Sequence, residues 1–302
     1  MSDPTRRLCS VCGGPAQNGV APYARECRDC GFLWSELEPV IRDKHTSAEP
    51  LRETERLEGL SRLRRGNAFR MMDRIAQVDG APTLAGARLL DVGSAHGWFL
   101  EAARDRGAEV EGIEPDPELH RFSVERGLPV TEGFFPEDLP PGAGDYDWIV
   151  FNDVLEHVPD PRSVLRACAG HLADGGIVVV NGPSRRGIFF RTARRLHRLG
   201  YRAPLDRMWQ LGLPSPHLSY FEPLTLRALA ELEGFTEIHR FPLPTLSRHG
   251  LRERLAYAGS IPGPVRLGMW CVLRAAYPVI GLLPRDIQVQ VFQRGGGGRG
   301  PR

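Results

Sequence analysis

No run of about 18 or more uncharged apolar residues occurs in this 302-residue chain, so a membrane-spanning helix is not expected. The most apolar stretch, residues 267–283, is interrupted by Arg274 and Pro278. The opening residues lack the apolar core of a secretory leader, which points to a cytoplasmic location. Net charge is only +2, too little to argue for wholesale binding of nucleic acid. No internal repeat is present. What is there is ordinary for a globular protein: 41% apolar and 25% charged residues, enough to bury a core. The length suits one medium α/β domain plus a small appendage.

Four of the six cysteines form one pattern, Cys9-x2-Cys12 and, fourteen residues on, Cys27-x2-Cys30. Two such pairs can each sit on a tight turn and bring thiolates to about 2.3 Å from a tetrahedral Zn2+. Gly13, Gly14 and Gly31 follow the pairs, where knuckle turns need residues that tolerate positive φ. Two disulfides are the alternative, and they would need an oxidising compartment. Four thiolate ligands leave no open position for water, so the metal is expected to be structural. A segment this short cannot bury enough apolar surface to fold without it. Cys168 and Cys271 lie in apolar helical contexts and read as small core hydrophobes.

Residues 1–35 therefore read as a small N-terminal zinc ribbon with four cysteine ligands, and 36–80 as a linker with N-terminal helices. Helical spacing of Leu63, Phe69, Met72 and Ile75 supports a helix over 51–79. From 81 to 294 strands and helices alternate. Strands are expected at 87–92, 108–113, 147–152, 176–181, 235–241 and 287–294, with a short one in LPVTEG. Helices at 96–106, 116–126, 160–171 and 223–234 lie between them, two opening on Asp-Pro. This alternation predicts an α/β fold with a Rossmann-like, doubly wound, mostly parallel seven-stranded sheet. An antiparallel closing strand is expected at one edge. Segments 183–222 and 242–285 are long inserts, and 295–302 reads as a disordered tail.

In such a sheet ligands bind at the carboxyl ends of the strands. The first large strand ends LLDVGSAHGWFL, where Gly93, Ala95 and Gly97 make a small-residue turn. The second ends GIEPD, which puts Glu114, followed by Pro115, at its carboxyl edge, where an acid can accept from both ribose hydroxyls. The dinucleotide fingerprint fails at its third glycine, which is Trp98 here. A mononucleoside-like ligand therefore suits the loop better than a dinucleotide.

LLDVGSAHGWFL, GIEPD, YDWIVFNDVLEHVPDP and SPHLSYFEPLTLRALAELEGF, in this order, resemble class I S-adenosylmethionine-dependent methyltransferases. The likeness is to the group with a VLEHxxDP segment after the fourth strand. The resemblance implies S-adenosylmethionine as cofactor, with Asp91, Gly93, Ala95 and Gly97 around its methionine part. It implies Glu114 at the ribose, Phe134 along the adenine, and Asn152 and Asp153 beside the methyl group. The acid that often meets the adenine amine is missing from the expected place. Plainer readings stand beside these: Asp91 as a helix cap, Phe134 as core, Glu156 and His157 as supports of their loop.

Methyl transfer from a sulfonium needs alignment more than covalent chemistry. A hydroxyl acceptor would also need a base. His217, just before helix 223–234, is the first candidate because imidazole titrates near neutrality. His157 and Tyr220 follow, and His217 could equally serve only to tie its loop. Helix 188–199 is amphipathic, with Phe189, Ala193 and Leu196 on one face and Arg191, Arg194, Arg195 and Arg198 on the other. That basic face could lie on an anionic membrane, grip a phosphorylated acceptor, or be solvated. The acceptor is expected to be a small molecule or a glycan- or lipid-linked intermediate, with peripheral contact at the inner membrane face left open. A ribosomal RNA methyltransferase is one alternative, although the ribbon lacks an aromatic-rich basic face. A non-catalytic interaction module is the other.

Overall fold

The computed structural model describes residues 8–40, 53–244, 263–280 and 283–295. The first unit is a ribbon of short strands, β1 (Ala16–Asn18), β2 (Ala24–Cys27) and β3 (Leu33–Ser35). Helix α1 (Glu53–Ile75) follows. Then come β4 (Arg88–Val92), α2 (Trp98–Arg104), β5 (Glu109–Glu114), α3 (Pro117–Glu125), β6 (Val130–Glu132) and β7 (Tyr146–Asn152). Helix α4 (Pro161–His171) leads into β8 (Leu172–Pro183). The first insert holds α5 (Ile188–Arg198), α6 (Ala203–Met208) and β9 (Ser219–Tyr220). After α7 (Pro223–Leu232) and β10 (Phe235–Leu243) come α8 (Gly263–Ile280) and β11 (Ile287–Arg294).

Local chemistry sets the helix starts. The Asp116 carboxylate accepts from the N–H groups of Glu118 and Leu119, and Pro117 supplies a preset φ at the first turn. Asp160 and Pro161 do the same for α4 through the Ser163 N–H. The strands β4, β7 and β8 are near-continuous apolar runs because both faces are covered. On one face α1 and α2 pack Met71, Met72, Ile75, Phe99 and Ala103 against Leu89, Val150 and Val179. On the other, α4 and α7 pack Leu165, Cys168, Leu226 and Leu229 against Leu90, Ile149 and Val178.

The seven strands lie in the order β10-β11-β8-β7-β4-β5-β6. β4 pairs in parallel with β5 on one side and β7 on the other, so strand order reverses there. Loops leaving the carboxyl ends of β4 and its neighbours stand at the place where such sheets bind ligands. β11 runs antiparallel to both β8 and β10. The antiparallel strand is thus one position in from the edge, not at the edge as expected. The reason is that β10 returns outside it as the last member.

Three expectations change with packing. The ribbon is no loose appendage: β3 pairs antiparallel with β9, Leu33 opposite Tyr220 and Trp34 opposite Ser219. On α5 the residues that go inside are Phe190 and Ala193, with Phe189 only half-buried, because the ribbon packs on the helix from that side. Cys168 is buried, but Cys271 is exposed on α8, where Val265, Leu267 and Val272 are also more than half exposed. Among the described residues no helix is long and apolar enough to cross a membrane. Of the expected linker, residues 36–40 are held in place, with the Glu36 N–H on Tyr23 O and the Val40 N–H on Pro214 O. Residues 41–52, residues 245–262 and 281–282 of insert 242–285, and nearly all of the expected tail lie outside the described residues.

Candidate active site

The loop after β4 is built from three left-handed residues, Gly93 (φ 68°), Ala95 (φ 46°) and Gly97 (φ 71°). The N–H groups of Gly93 and Ser94 both donate to the carbonyl of Ile113, which staples the loop to β5. A Cβ on Gly93 would stand 2.6 Å from Val154 Cγ2, and one on Gly97 would stand 2.1 Å from Leu128 Cδ1. Gly97 is therefore required twice over, by conformation and by space. Gly97→Ala is expected to cost about 2–4 kcal/mol, from left-handed strain plus overpacking. Ala95→Gly, where the Cβ is already accommodated, should change stability by no more than about 1 kcal/mol. Urea unfolding of the two variants checks both, and equal midpoints would contradict the argument.

Glu114 ends β5 and is 5% exposed. Its Oε2 accepts from the Ala95 N–H at 2.8 Å and its Oε1 from the Asp116 N–H at 2.9 Å. The carboxylate therefore faces the glycine loop, with further lone pairs on each oxygen. Burial pushes its pKa up to about 7, against the two backbone donors that favour the anion. Asp91 is buried beside it and raised well above the carboxylate range, first by desolvation and then by the Glu114 charge. It does not cap α2, whose N-cap is Gly97 without any side-chain bond. Asp91 Oδ1 and Ser94 Oγ are buried without a hydrogen-bond partner. Buried polar atoms are rarely left so.

Phe134 is half-buried, next to Gly133 (φ 142°), and its N–H donates to Asp138 Oδ2 at 2.9 Å. The Asp138 carboxylate is thus brought back onto the Phe134 backbone by a turn. Asn152 and Asp153 close β7, with the Asn181 amide donating to Asn152 Oδ1 and Asp153 at φ 60°. Pro115, half-buried, turns the chain out of the strand after Glu114. One site residue escaped sequence reasoning. Arg64 reaches from α1 to Asp153 Oδ2 at 3.8 Å, and its charge also lowers the pKa of Asp91 and Glu156. Nothing in the spacing of an arginine-rich helix marks which guanidinium turns inward.

Beyond β7 lies a polar cluster. Donor atoms of Glu156, His157 and His217 all fall within 4.8 Å of one another. The rings of His157 and His217 meet edge to face at 4.7 Å. His157 Nδ1 lies 3.0 Å from Pro216 O, so Nδ1 carries the proton and Nε2 keeps its lone pair. His217 Nε2 contacts the Gln210 amide at 2.8 Å, and its Nδ1 is buried without a partner. The expectation that His217 titrates near neutrality is corrected here: burial, then the neighbouring His157, hold it down to about 3. Tyr220 is also disfavoured as a base. Its hydroxyl donates to Met208 O, and burial raises it further.

The ribbon supports this cluster from behind. Its four sulfurs lie within 4.8 Å of one another, with Cys9–Cys30 at 3.5 Å and Cys12–Cys27 at 3.4 Å. A tetrahedron with bonds of about 2.3 Å has edges of about 3.8 Å, so the four donors suit one metal ion with a slight expansion. The Ser35 hydroxyl donates to His217 O at 2.8 Å and the Ser35 N–H to Leu218 O. Arg185 bridges the units, on Gly31 O and Glu26 from the ribbon and on Glu222 before α7. Phe32 packs on Phe221 at 5.3 Å.

A seven-stranded sheet with this order, a left-handed loop after its central strand and a buried acid ending the next defines the class I methyltransferase architecture. The sequence profile described as "Methyltransferase domain" matches residues 61–240, and the chain belongs to that family. Among curated proteins it resembles the ubiquinone biosynthesis O-methyltransferases of Marinobacter nauticus (39% identity, 37% of this chain and 50% of that one) and Bordetella avium (42% identity, 32% and 43%). The chain thus spans about half the length of these relatives. Among solved structures, a chain from the complex between the Haloferax volcanii Trm112 methyltransferase activator and the putative methyltransferase superposes with TM-score 0.56. It is 17% identical and the match covers 81% of this chain and 95% of that one. A Thermotoga maritima S-adenosylmethionine-dependent methyltransferase, possible histamine N-methyltransferase, gives TM-score 0.51, 16% identity, and coverage of 80% and 95%. These two likenesses show the fold.

Proposed function

We propose that this protein transfers a methyl group from S-adenosylmethionine to a hydroxyl of a small molecule, with a structural Zn2+ held by Cys9, Cys12, Cys27 and Cys30. The observation that carries the reading is the Glu114 carboxylate, buried and turned onto the left-handed loop, with the unpartnered Asp91 Oδ1 and Ser94 Oγ buried nearby. The cofactor would supply an electrophilic methyl on a good neutral leaving group. Glu114 accepts the ribose hydroxyls. Asp91 would meet the methionine end, Phe134 would line the adenine, and Asn152 and Asp153 would border the reacting carbon. Arg64 offsets the charge of three neighbouring acids. Zinc ties the two turns of the ribbon and performs no chemistry.

His157 is assigned as the base. Its Nε2 lone pair is fixed by the Nδ1–H bond to Pro216, and the His217 ring holds its edge. His217 becomes a positioning residue, since a group held near 3 accepts a proton poorly at neutral pH. The relatives' role in O-methylation supports a hydroxyl on a small molecule, against RNA and against a non-catalytic module. A glycan- or lipid-linked acceptor stays within this class, and exposed apolar side chains on α8 would suit one borne by a membrane.

The test is transfer of a labelled methyl group from S-adenosylmethionine into a small-molecule cell extract by the full chain. His157→Ala should lower kcat by about 100-fold or more with cofactor Kd unchanged, and His217→Ala by less. Because burial lowers the His157 pKa, the acid limb of kcat/KM should fall below the ordinary imidazole value. Unaltered turnover in His157→Ala would reject the base assignment, and no labelled product from any extract would reject the small-molecule reading.

A further inference from the structure

A second cleft lies away from the glycine loop, between the ribbon and α5. Asn18, Gly19, Val20, Ala24, Glu26 and Leu33 form one wall, and Phe190, Arg194, Arg198 and Trp209 the other. Its volume is about 250 Å3, just under the range of about 300–1,000 Å3 usual for small-molecule pockets. Val20, Ala24, Leu33, Phe190 and Trp209 give it an apolar floor.

The charges in this cleft do not balance. Glu26, its one acid, is drawn off by Arg185, whose Nη2 lies 3.2 Å from Oε1. Arg185 in turn also holds Glu222 at 2.8 Å. Arg194 and Arg198 have no carboxylate within 4.0 Å among the described residues. Arg194 is only half-exposed. Desolvation and then the nearby Arg185 and Arg198 press its pKa down, and the charge of Glu26 offsets them only in part. A partly desolvated arginine beside a second one is costly unless an anion completes the pair. Guanidinium forks match phosphate oxygens better than any other common anion except carboxylate, and the cleft's own carboxylate is already taken. The same helix carries Arg195 outside the cleft, so the two cleft-lining arginines are set apart by packing and not by composition.

We propose that the cleft between the ribbon and α5 is a binding site for a phosphorylated small molecule, with Arg194 and Arg198 on the phosphate and Asn18 at the mouth. The apolar floor takes the group that the phosphate is attached to. A ligand seated there touches ribbon and insert at once and clamps them together. Behind the floor, the Trp209 ring lies 4.9 Å from that of Tyr220, which lies 5.3 Å from His217. The floor is therefore one aromatic layer from the histidine pair.

Calorimetric titration of the full chain with pyrophosphate, at constant ionic strength, tests the site. Saturable one-to-one binding is expected, weakened by about tenfold in Arg194→Gln and in Arg198→Gln. Arg195→Gln, on the outer face of the same helix, should bind as the parent does. Arg194→Lys, which keeps charge but loses the fork, should fall between parent and Arg194→Gln, and thermal melts of each variant report on folding separately. No saturation, or equal weakening in Arg195→Gln, would overturn the proposal in favour of diffuse basic attraction. Two sources share the phosphate chemistry, a free effector and a phosphate carried by the acceptor. Phosphatase treatment of the labelled product tells them apart, since the product releases phosphate only if the acceptor carries it. Binding is read without turnover, so failure of this site and failure of the methyltransferase reading are separable.

Discussion

Glu114→Gln is expected to weaken S-adenosylmethionine binding by about 100-fold, the loss of charge from two hydrogen bonds accepted in a buried site. The carboxylate already takes the Ala95 and Asp116 N–H groups at 2.8 and 2.9 Å. It can take both ribose hydroxyls only on its remaining lone pairs, and it does so best as the anion. Burial has raised its pKa to about 7, which makes the effect pH-dependent. The sign is opposite for the free protein and for cofactor binding. A carboxyl with a raised folded pKa contributes its full stability below its unfolded value, and that contribution is lost as pH rises through about 7. Cofactor affinity should instead increase as pH rises through the same value, because the ligand favours the anion. Calorimetry on either side of about pH 7 reads the affinity change, urea midpoints read the stability change, and Glu114→Gln should flatten both profiles. A flat affinity profile in the parent chain would remove Glu114 from the ribose.

Removal of the Zn2+ proposed for the ribbon should lower methyl transfer by about 100-fold while cofactor affinity changes little, the scale expected when a catalytic group shifts by about 1 Å. Cys27→Ser should act likewise. The ribbon's strands are three or four residues long, and metal binding is worth about 10–16 kcal/mol in folding such units. When it melts, β9 loses its partner β3, and the segment carrying His217 and Tyr220 loses the Ser35 bonds and the Phe32 contact. The glycine loop and Glu114 touch none of these residues. A chelated protein that keeps its turnover, with metal loss verified by elemental analysis, would show that the ribbon is independent of the acceptor side.

The geometry of the loop after β4 and of Glu114 was legible because its signals are local. Small residues in a strand-to-helix turn and an acid at the next strand's end each follow from a few neighbouring positions, and Gly93, Gly97 and Glu114 lie where such positions require. The acceptor side was not legible in the same way. A histidine's titration depends on what buries it, and His217 is surrounded by Trp209, Tyr220, His157 and Gln210 from separate stretches of the chain. Arg64 and Asp138 likewise arrive by packing and by a turn.

From its residues alone the chain determines that it is an α/β protein with a four-cysteine ribbon and a nucleoside-type loop, since periodicity, cysteine spacing and turn chemistry act over a few residues. Only the tertiary structure decides that the ribbon shares a sheet with the first insert, that β11 lies inside β10, and that Arg194 and Arg198 face a cleft while Arg195 does not. Those are outcomes of pairing and burial between segments far apart in sequence, as Leu33 opposite Tyr220 shows, and no local pattern encodes which long-range partner excludes water from which face.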